Sequence, residues 1–185
     1  MKKHNIAVIV GSLRKESFNL KTAKTLMSLA PESLSMKLVS IAGLPMFNED
    51  LEGSPPKEWV AFREQIRAAD GFLFLTPEYN RSVPGVLKNA IDVGSRPYGE
   101  NSWDGKPAGV VSVSIGNISG FGANHHLRQS LVFVNVPTMA QPEAYIGGAA
   151  ELFDDNGKLT NDSTKGFLQS YMDAFAKWIA TNAQS

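Results

Sequence analysis

Continuous apolar runs alternate with amphipathic ones along this chain. Ile6 to Val10 is unbroken and rich in β-branched residues, the pattern of a strand buried on both faces. Ser17 to Ala30 carries Leu20, Ala23, Leu26, Met27 and Ala30 at helical spacing and stops at Pro31. Met36 to Ile41 predicts a weaker, alternating second strand. Pro55 and Pro56 open a second helix with Trp59, Phe62, Ile66 and Ala69 on one face. Phe72 to Leu75 predicts a third strand, Pro84 to Val93 a third helix, Ala108 to Ile115 a fourth strand and Asn124 to Val134 a fourth helix. Thr138 to Ile146 predicts a fifth strand interrupted by Pro142. Phe167, Leu168, Tyr171, Met172, Phe175 and Ile179 form the core-facing stripe of a closing helix. The longest irregular segments are Gly94 to Lys106 and Gly147 to Lys165.

This β/α alternation implies a parallel sheet covered by helices on both sides, a three-layer α/β sandwich. Five strands beginning with a polar loop fit the flavodoxin-like strand order 2-1-3-4-5, in which ligands bind at the carboxyl ends of the strands near the switch point. The loops that meet there are Gly11–Asn19, Thr76–Pro84 and Ser114–Gly122. With 185 residues and no linker or repeat, the chain is expected to form one domain, 1–185.

Charge narrows the partners. Eighteen basic and eighteen acidic residues cancel, and no basic stripe argues for nucleic acid. The absence of cysteine excludes a disulfide frame, a thiolate zinc site and a cysteine nucleophile. Only five apolar residues precede Gly11, too few for a signal-peptide core or a membrane span, so a cytoplasmic protein is expected.

The chemistry concentrates in the first two loops. Gly11-Ser12-Leu13-Arg14-Lys15-Glu16-Ser17-Phe18-Asn19 joins a buried strand to a helix start, where free N–H groups and the helix dipole favour an anion. A plain turn needs only Ser17 as N-cap. Ser12, Arg14, Ser17 and Asn19 together can all face one phosphate. Neither the triphosphate nor the dinucleotide fingerprint is present: Gly99 to Lys106 is one residue too long and ends on Pro107, and Gly116, Gly120 and Gly122 follow the wrong strand with reversed spacing. The second loop, Thr76 to Gly85, offers backbone donors, an amide and an aromatic ring, which suits a planar heteroaromatic ligand.

Other polar groups have simpler readings. His125 and His126 read as helix-surface or subunit-interface residues. Asp154-Asp155-Asn156-Gly157 is a turn rather than a calcium loop, and Lys88 with Asp92 is a surface pair at i, i+4.

Gly11-Ser12-Leu13-Arg14-Lys15 with Ser17 and Asn19, together with Pro77-Glu78-Tyr79-Asn80 and Pro84-Gly85-Val86-Leu87-Lys88-Asn89-Ala90-Ile91-Asp92, resembles the NAD(P)H-dependent FMN reductase family, and within it the bacterial chromate and quinone reductases. The similarity runs from Ile6 to about Tyr171. It implies non-covalently bound FMN, with Ser12, Arg14, Ser17, Asn19 and Leu20 at the phosphate. Pro77, Glu78, Tyr79 and Asn80 would line the isoalloxazine largely through backbone atoms, and Ser114 and Gly116 would complete the pocket. No catalytic side chain and no metal are implied, because the flavin carries the hydride. The implied reaction takes hydride from NADPH or NADH and passes electrons to quinones, chromate or other small oxidants. The implied assembly is a homodimer or homotetramer with the flavin near a subunit boundary. Three other readings stand beside it: an electron carrier of the same fold with no NAD(P)H oxidase activity, which balanced charge and the Pro77–Asn80 loop disfavour, a hydrolase using Ser12, for which no histidine follows His126, and a regulatory or scaffold protein that binds FMN without turnover.

Overall fold

A computed structural model describes residues 3–184. Its strands are β1 (His4–Val10), β2 (Leu34–Leu38), β3 (Gly71–Thr76), β4 (Ala108–Val113) and β5 (Ala144–Ile146). Its helices are α1 (Phe18–Ser28), α2 (Lys57–Arg67), α3 (Gly85–Gly94), α4 (Phe121–Phe133) and α5 (Asp162–Asn182). All four strand pairings are parallel and the order is β2-β1-β3-β4-β5, as the alternation predicts.

Strand alternation sends each residue to one of two cores. Ala7, Ile9, Phe72, Phe74 and Val110 face α2, α3 and α4, where they meet Trp59, Phe62, Leu87 and Leu127. Ile6, Val8, Leu73, Leu75 and Val111 face α1 and α5, where they meet Leu26, Tyr171, Met172 and Phe175. The aromatic stripe of the closing helix is therefore core, as expected.

Several boundaries depart from the sequence pattern for identifiable reasons. The fifth strand is short because Pro142 has no N–H to give a ladder. Thr138 forms one isolated bridge with Ala108, the chain leaves the sheet, and pairing resumes at Ala144. The second strand spans Leu34–Leu38 rather than Met36–Ile41, although Val39 still donates its N–H to the Val8 carbonyl at 2.9 Å. Helix α4 starts at Phe121, three residues before the apolar periodicity suggests, and α5 starts at Asp162, inside a segment read as irregular. Asn161 makes the latter start, its side chain accepting the Thr164 N–H at 2.8 Å.

Candidate functional site

The three polar loops leave the C-terminal ends of β1, β3 and β4, which are adjacent in the sheet. At the exit of β1, Gly11 donates its N–H to the Leu75 carbonyl at 2.8 Å. A Cβ at Gly11 would lie 2.9 Å from the end of the Leu87 side chain and 3.3 Å from the Leu75 carbonyl oxygen, so a larger residue here would displace Leu87 of α3.

Ser17 is buried and caps α1, its Oγ accepting the Leu20 N–H at 3.2 Å. The cap reading and the anion reading therefore coexist. Leu20 spends its N–H on this cap, while the amides of Phe18 and Asn19 have no acceptor among the described residues. Asn19 is buried; its Nδ2 donates to the Val113 carbonyl at 3.2 Å, and its Oδ1 has no partner among the described residues. Ser12 is half-buried, and Arg14 is exposed with its guanidinium 5.1 Å from the Phe18 ring centre. One end of the site is thus a helix start with open donors, one orphaned buried acceptor and an exposed cation.

The second loop folds into a two-residue hairpin turn. Tyr79 and Ser82 exchange N–H···O bonds of 3.0 Å, and the central residues Asn80 and Arg81 are left-handed at φ 52° and 64°. Left-handed backbone at a non-glycine residue costs on the order of 1 kcal/mol and persists where the surroundings impose it. Here Glu78 accepts from the Arg81 guanidinium at 2.7 Å and from the Ala123 N–H at 3.1 Å. Burial opposes the Glu78 charge, but the Ala123 N–H, Arg81 and the Gly122 N–H outweigh it and hold the carboxyl below its usual range. The Glu78 side chain is therefore committed to α4, leaving the loop's backbone and the exposed Tyr79 ring to face a ligand.

In the third loop, the Ser114 hydroxyl accepts the Gly116 N–H at 3.2 Å. Ser112 donates to the Ser119 carbonyl at 2.7 Å, which shapes the turn into α4. Ile115, Ile118 and Phe121 are exposed and give this rim an apolar surface. The Phe121 ring lies 4.3 Å from the His125 imidazole and 5.5 Å from the Tyr145 ring. His125 Nε2 is 2.9 Å from the Tyr145 hydroxyl, and His126 Nδ1 is 2.7 Å from the Ser82 hydroxyl. Both histidines are exposed residues of α4.

The structure thus brings loops one, two and three to one end of the sheet, with Ser12, Ser17 and Asn19 beside α1 and Tyr79, Asn80, Ser114 and Gly116 on the neighbouring strand ends. Sequence periodicity did not find the links between loops: Gly122, Ala123 and His126 belong to α4, and their partners Glu78 and Ser82 are more than forty residues earlier. Elsewhere the simple readings hold. Lys88 donates to both Asp92 oxygens at 2.6 and 2.9 Å, and Asp154 accepts the Asn156 and Lys158 N–H groups in a turn. Among the described residues no group of three or more His, Asp or Glu side chains could hold a metal ion, and no helix is long and apolar enough to cross a membrane.

Comparison with known proteins agrees with this geometry. The sequence profile of the family described as NADPH-dependent FMN reductase matches residues 4–151. A quinone reductase of Pseudomonas putida is 63% identical over 180 residues, 97% of this chain and 96% of that protein. A 2-hydroxy-1,4-benzoquinone reductase of Burkholderia sp is 45% identical over 94% of this chain and 95% of that protein. Among solved structures, FerB of Paracoccus denitrificans, a flavoenzyme NAD(P)H:(acceptor) oxidoreductase, superposes with a TM-score of 0.92 at 44% identity, covering 98% of this chain and all of that one.

Proposed function

The chain belongs to the NADPH-dependent FMN reductase family, and we propose that it is an FMN-dependent oxidoreductase that oxidises NADPH or NADH and reduces quinones. The observation that carries this reading is the pairing of an open helix start, with the orphaned Asn19 Oδ1 beside it, and a rigid turn presenting the Tyr79 ring one strand away. A phosphate, a polyol chain and a flat ring need those surfaces in that order.

The residues fit the cofactor. Ser12, Arg14, Ser17, Asn19 and Leu20 form the phosphate end: the Phe18 and Asn19 amides donate, Arg14 adds charge, and Asn19 Oδ1 accepts from a hydroxyl. Pro77, Glu78, Tyr79 and Asn80 form the ring wall through their backbone, with Ser114 and Gly116 opposite. When bound, FMN supplies the hydride-accepting and electron-donating chemistry, so the protein needs no acid–base triad. The chain's own residues hold, orient and shield. Left-handed Asn80 and Arg81 fix the shape of the turn, and the loop's free backbone donors would meet the ring edge. Ile115, Ile118 and Phe121 give nicotinamide and quinone rings an apolar surface to lie on.

Chromate is a secondary acceptor in this reading, drawn by the exposed cations Arg14 and Lys15. The enzyme works in the cytoplasm, where NAD(P)H is generated. It self-associates through the groove of about 660 Å³ between α3 and α4, lined by Val83, Lys88, Ile91, His126 and Phe133. Phe133 is 90% exposed at the edge of this groove, a knob beside a hole, as a two-fold pairing of identical faces requires. The groove ends at Ser82, which puts a partner next to the ring wall.

Steady-state kinetics test the reading. FMN-reconstituted protein should oxidise NADPH or NADH with quinones as acceptors, and chromate more slowly. Failure to oxidise either nicotinamide at a measurable rate sinks the enzyme and leaves a carrier.

A further inference from the structure

Helix α4 begins without a cap from its own neighbourhood. Its N-cap is Gly120, left-handed at φ 73° and with no side chain to offer, preceded by Ser119 at φ 58°, whose hydroxyl bonds the Asn117 carbonyl instead. A helix start leaves N–H groups without intrahelical partners. Here the acceptor arrives from the second loop. Glu78 Oε2 takes the Ala123 N–H across 45 residues, and Gly122 packs closely against the same carboxylate. Gly122 is part of the device, since a Cβ there would lie 3.0 Å from both Glu78 Oε2 and the Arg81 carbonyl oxygen. One helical turn later, His126 meets Ser82. The hairpin turn is therefore latched to two successive turns of α4.

The geometry points to Glu78 as a positioning residue: its carboxylate caps α4 from the second loop and locks that loop and the third loop into one unit, fixing the ring wall relative to Ser114 and Gly116. The positioning role rests on the flavin reading of those loops; the brace itself does not. It follows that Glu78 acts on the cofactor through the backbone of α4 and of its own loop. It follows too that the positive end of α4 is neutralised internally, so this helix start holds no free site for an anionic acceptor.

The Ala123 N–H reports the brace directly, because Glu78 is its acceptor. Glu78→Gln keeps the shape but removes the charge and points an NH2 group or a weaker acceptor at the Ala123 N–H. Gly122→Ala pushes the carboxylate and the turn away while Glu78 stays intact. Two readouts are needed for the full chain: amide exchange at Ala123 before FMN is added, and FMN affinity by fluorescence quenching. Circular dichroism checks that each variant folds, and both substitutions are small enough to spare the core.

We expect Glu78→Gln to speed Ala123 exchange by about tenfold or more, the scale of a lost charge-assisted hydrogen bond, and to weaken FMN binding several-fold. Gly122→Ala should do the same, and the double variant should be no worse than the stronger single one. Unchanged Ala123 exchange in Glu78→Gln overturns the brace. Normal FMN affinity with accelerated exchange overturns the positioning role. Additive losses in the double variant mean that Glu78 touches the cofactor directly and overturn it too. Wild-type protein that binds no FMN at all overturns the flavin reading, with the exchange result still deciding the brace.

Discussion

Asn19 donates from Nδ2 to the Val113 carbonyl, 3.2 Å away and 94 residues later, tying the first turn of α1 to the end of β4. The bond is buried, so Asn19→Ala leaves a carbonyl without its donor in a site that excludes water. That loss should cost about 1–3 kcal/mol, read as a lower urea midpoint with an unchanged slope. Because Asn19 Oδ1 is buried at the start of α1 without a partner among the described residues, FMN bound there should stabilise wild type more than the variant. Equal stabilisation of the two proteins by FMN would remove Asn19 from the cofactor site and leave it as a strap.

Arg14 offers a cleaner test of the phosphate end, because it is exposed and stacks only on the partly buried Phe18. Arg14→Ala should leave the urea midpoint of the unliganded chain unchanged. FMN affinity should fall by about 1.5–3 kcal/mol, the scale of a charge-assisted hydrogen bond to phosphate. Riboflavin, which lacks the phosphate, should bind wild type and variant alike. An unaltered FMN affinity would move the phosphate away from Arg14.

Tyr145 predicts behaviour at alkaline pH. Burial pushes its phenol up to about 12, and the nearby Glu143 carboxylate adds to the rise. The unfolded value is about 10. A group raised in the folded state contributes stability that is complete below the unfolded value and is lost as pH rises through the folded one. The Tyr145 contribution should therefore fade between about pH 10 and about pH 12. Absorbance near 295 nm should show a late tyrosinate step that Tyr145→Phe removes. A titration identical in the two proteins would contradict this account.

The proposed self-association through α4 can be tested at its exposed apolar end. Phe133 is 90% exposed at the end of α4, and its neighbour Val132 is 72% exposed. A charge at position 133 costs the monomer little but should be intolerable in a buried apolar contact. Phe133→Asp should shift the species seen by sedimentation from dimer or tetramer to monomer with an unchanged circular dichroism spectrum. A variant that sediments like wild type places the interface elsewhere.

The sheet order and both cores were legible because each rests on local periodicity: Ile6 to Val10 and Phe72 to Leu75 read as buried strands, and the Trp59–Phe62–Ile66 stripe reads as a helix face. The end of the sheet where the polar loops gather was legible for the same reason, since strand ends and polar loops can be counted along the chain. What the pattern could not show is long-range pairing. Nothing in Pro77-Glu78-Tyr79-Asn80 says that Glu78 caps a helix that starts at Phe121, and nothing in the loop after Leu75 says that Ser82 meets His126. The start of α4 was placed late because its first turn lacks an N-cap of its own. The fifth strand was read too long because Thr138 and Met139 do touch β4, then Pro142 withholds the donor that would continue the ladder.

Trp103 is the largest side chain buried in a segment with no periodic pattern, and its loss should cost the fold heavily. The Gly94 to Lys106 connection has no periodic pattern, yet Trp103 is fully buried in it. Its ring packs edge-on against Phe72 at 4.9 Å and Phe62 at 5.9 Å, and its Nε1 donates to the Ile91 carbonyl at 3.0 Å. Trp103→Ala removes the ring and opens a cavity, a loss of about 3–5 kcal/mol, against a total stability of about 5–15 kcal/mol for a domain. Trp103→Phe keeps much of the apolar contact but removes one of two donors to the Ile91 carbonyl, which still accepts the Ser95 N–H at 3.1 Å, a loss of about 0.5–1.5 kcal/mol. Trp103 lies before β4, at the N-terminal end of the sheet, while the three polar loops proposed to hold the flavin leave the C-terminal end. Trp103→Phe should therefore lower the unfolding midpoint while leaving FMN affinity and turnover of the folded protein as in wild type. A Trp103→Phe protein with normal stability but weakened FMN binding would show that the two ends of the sheet are coupled, against the division of labour argued for them.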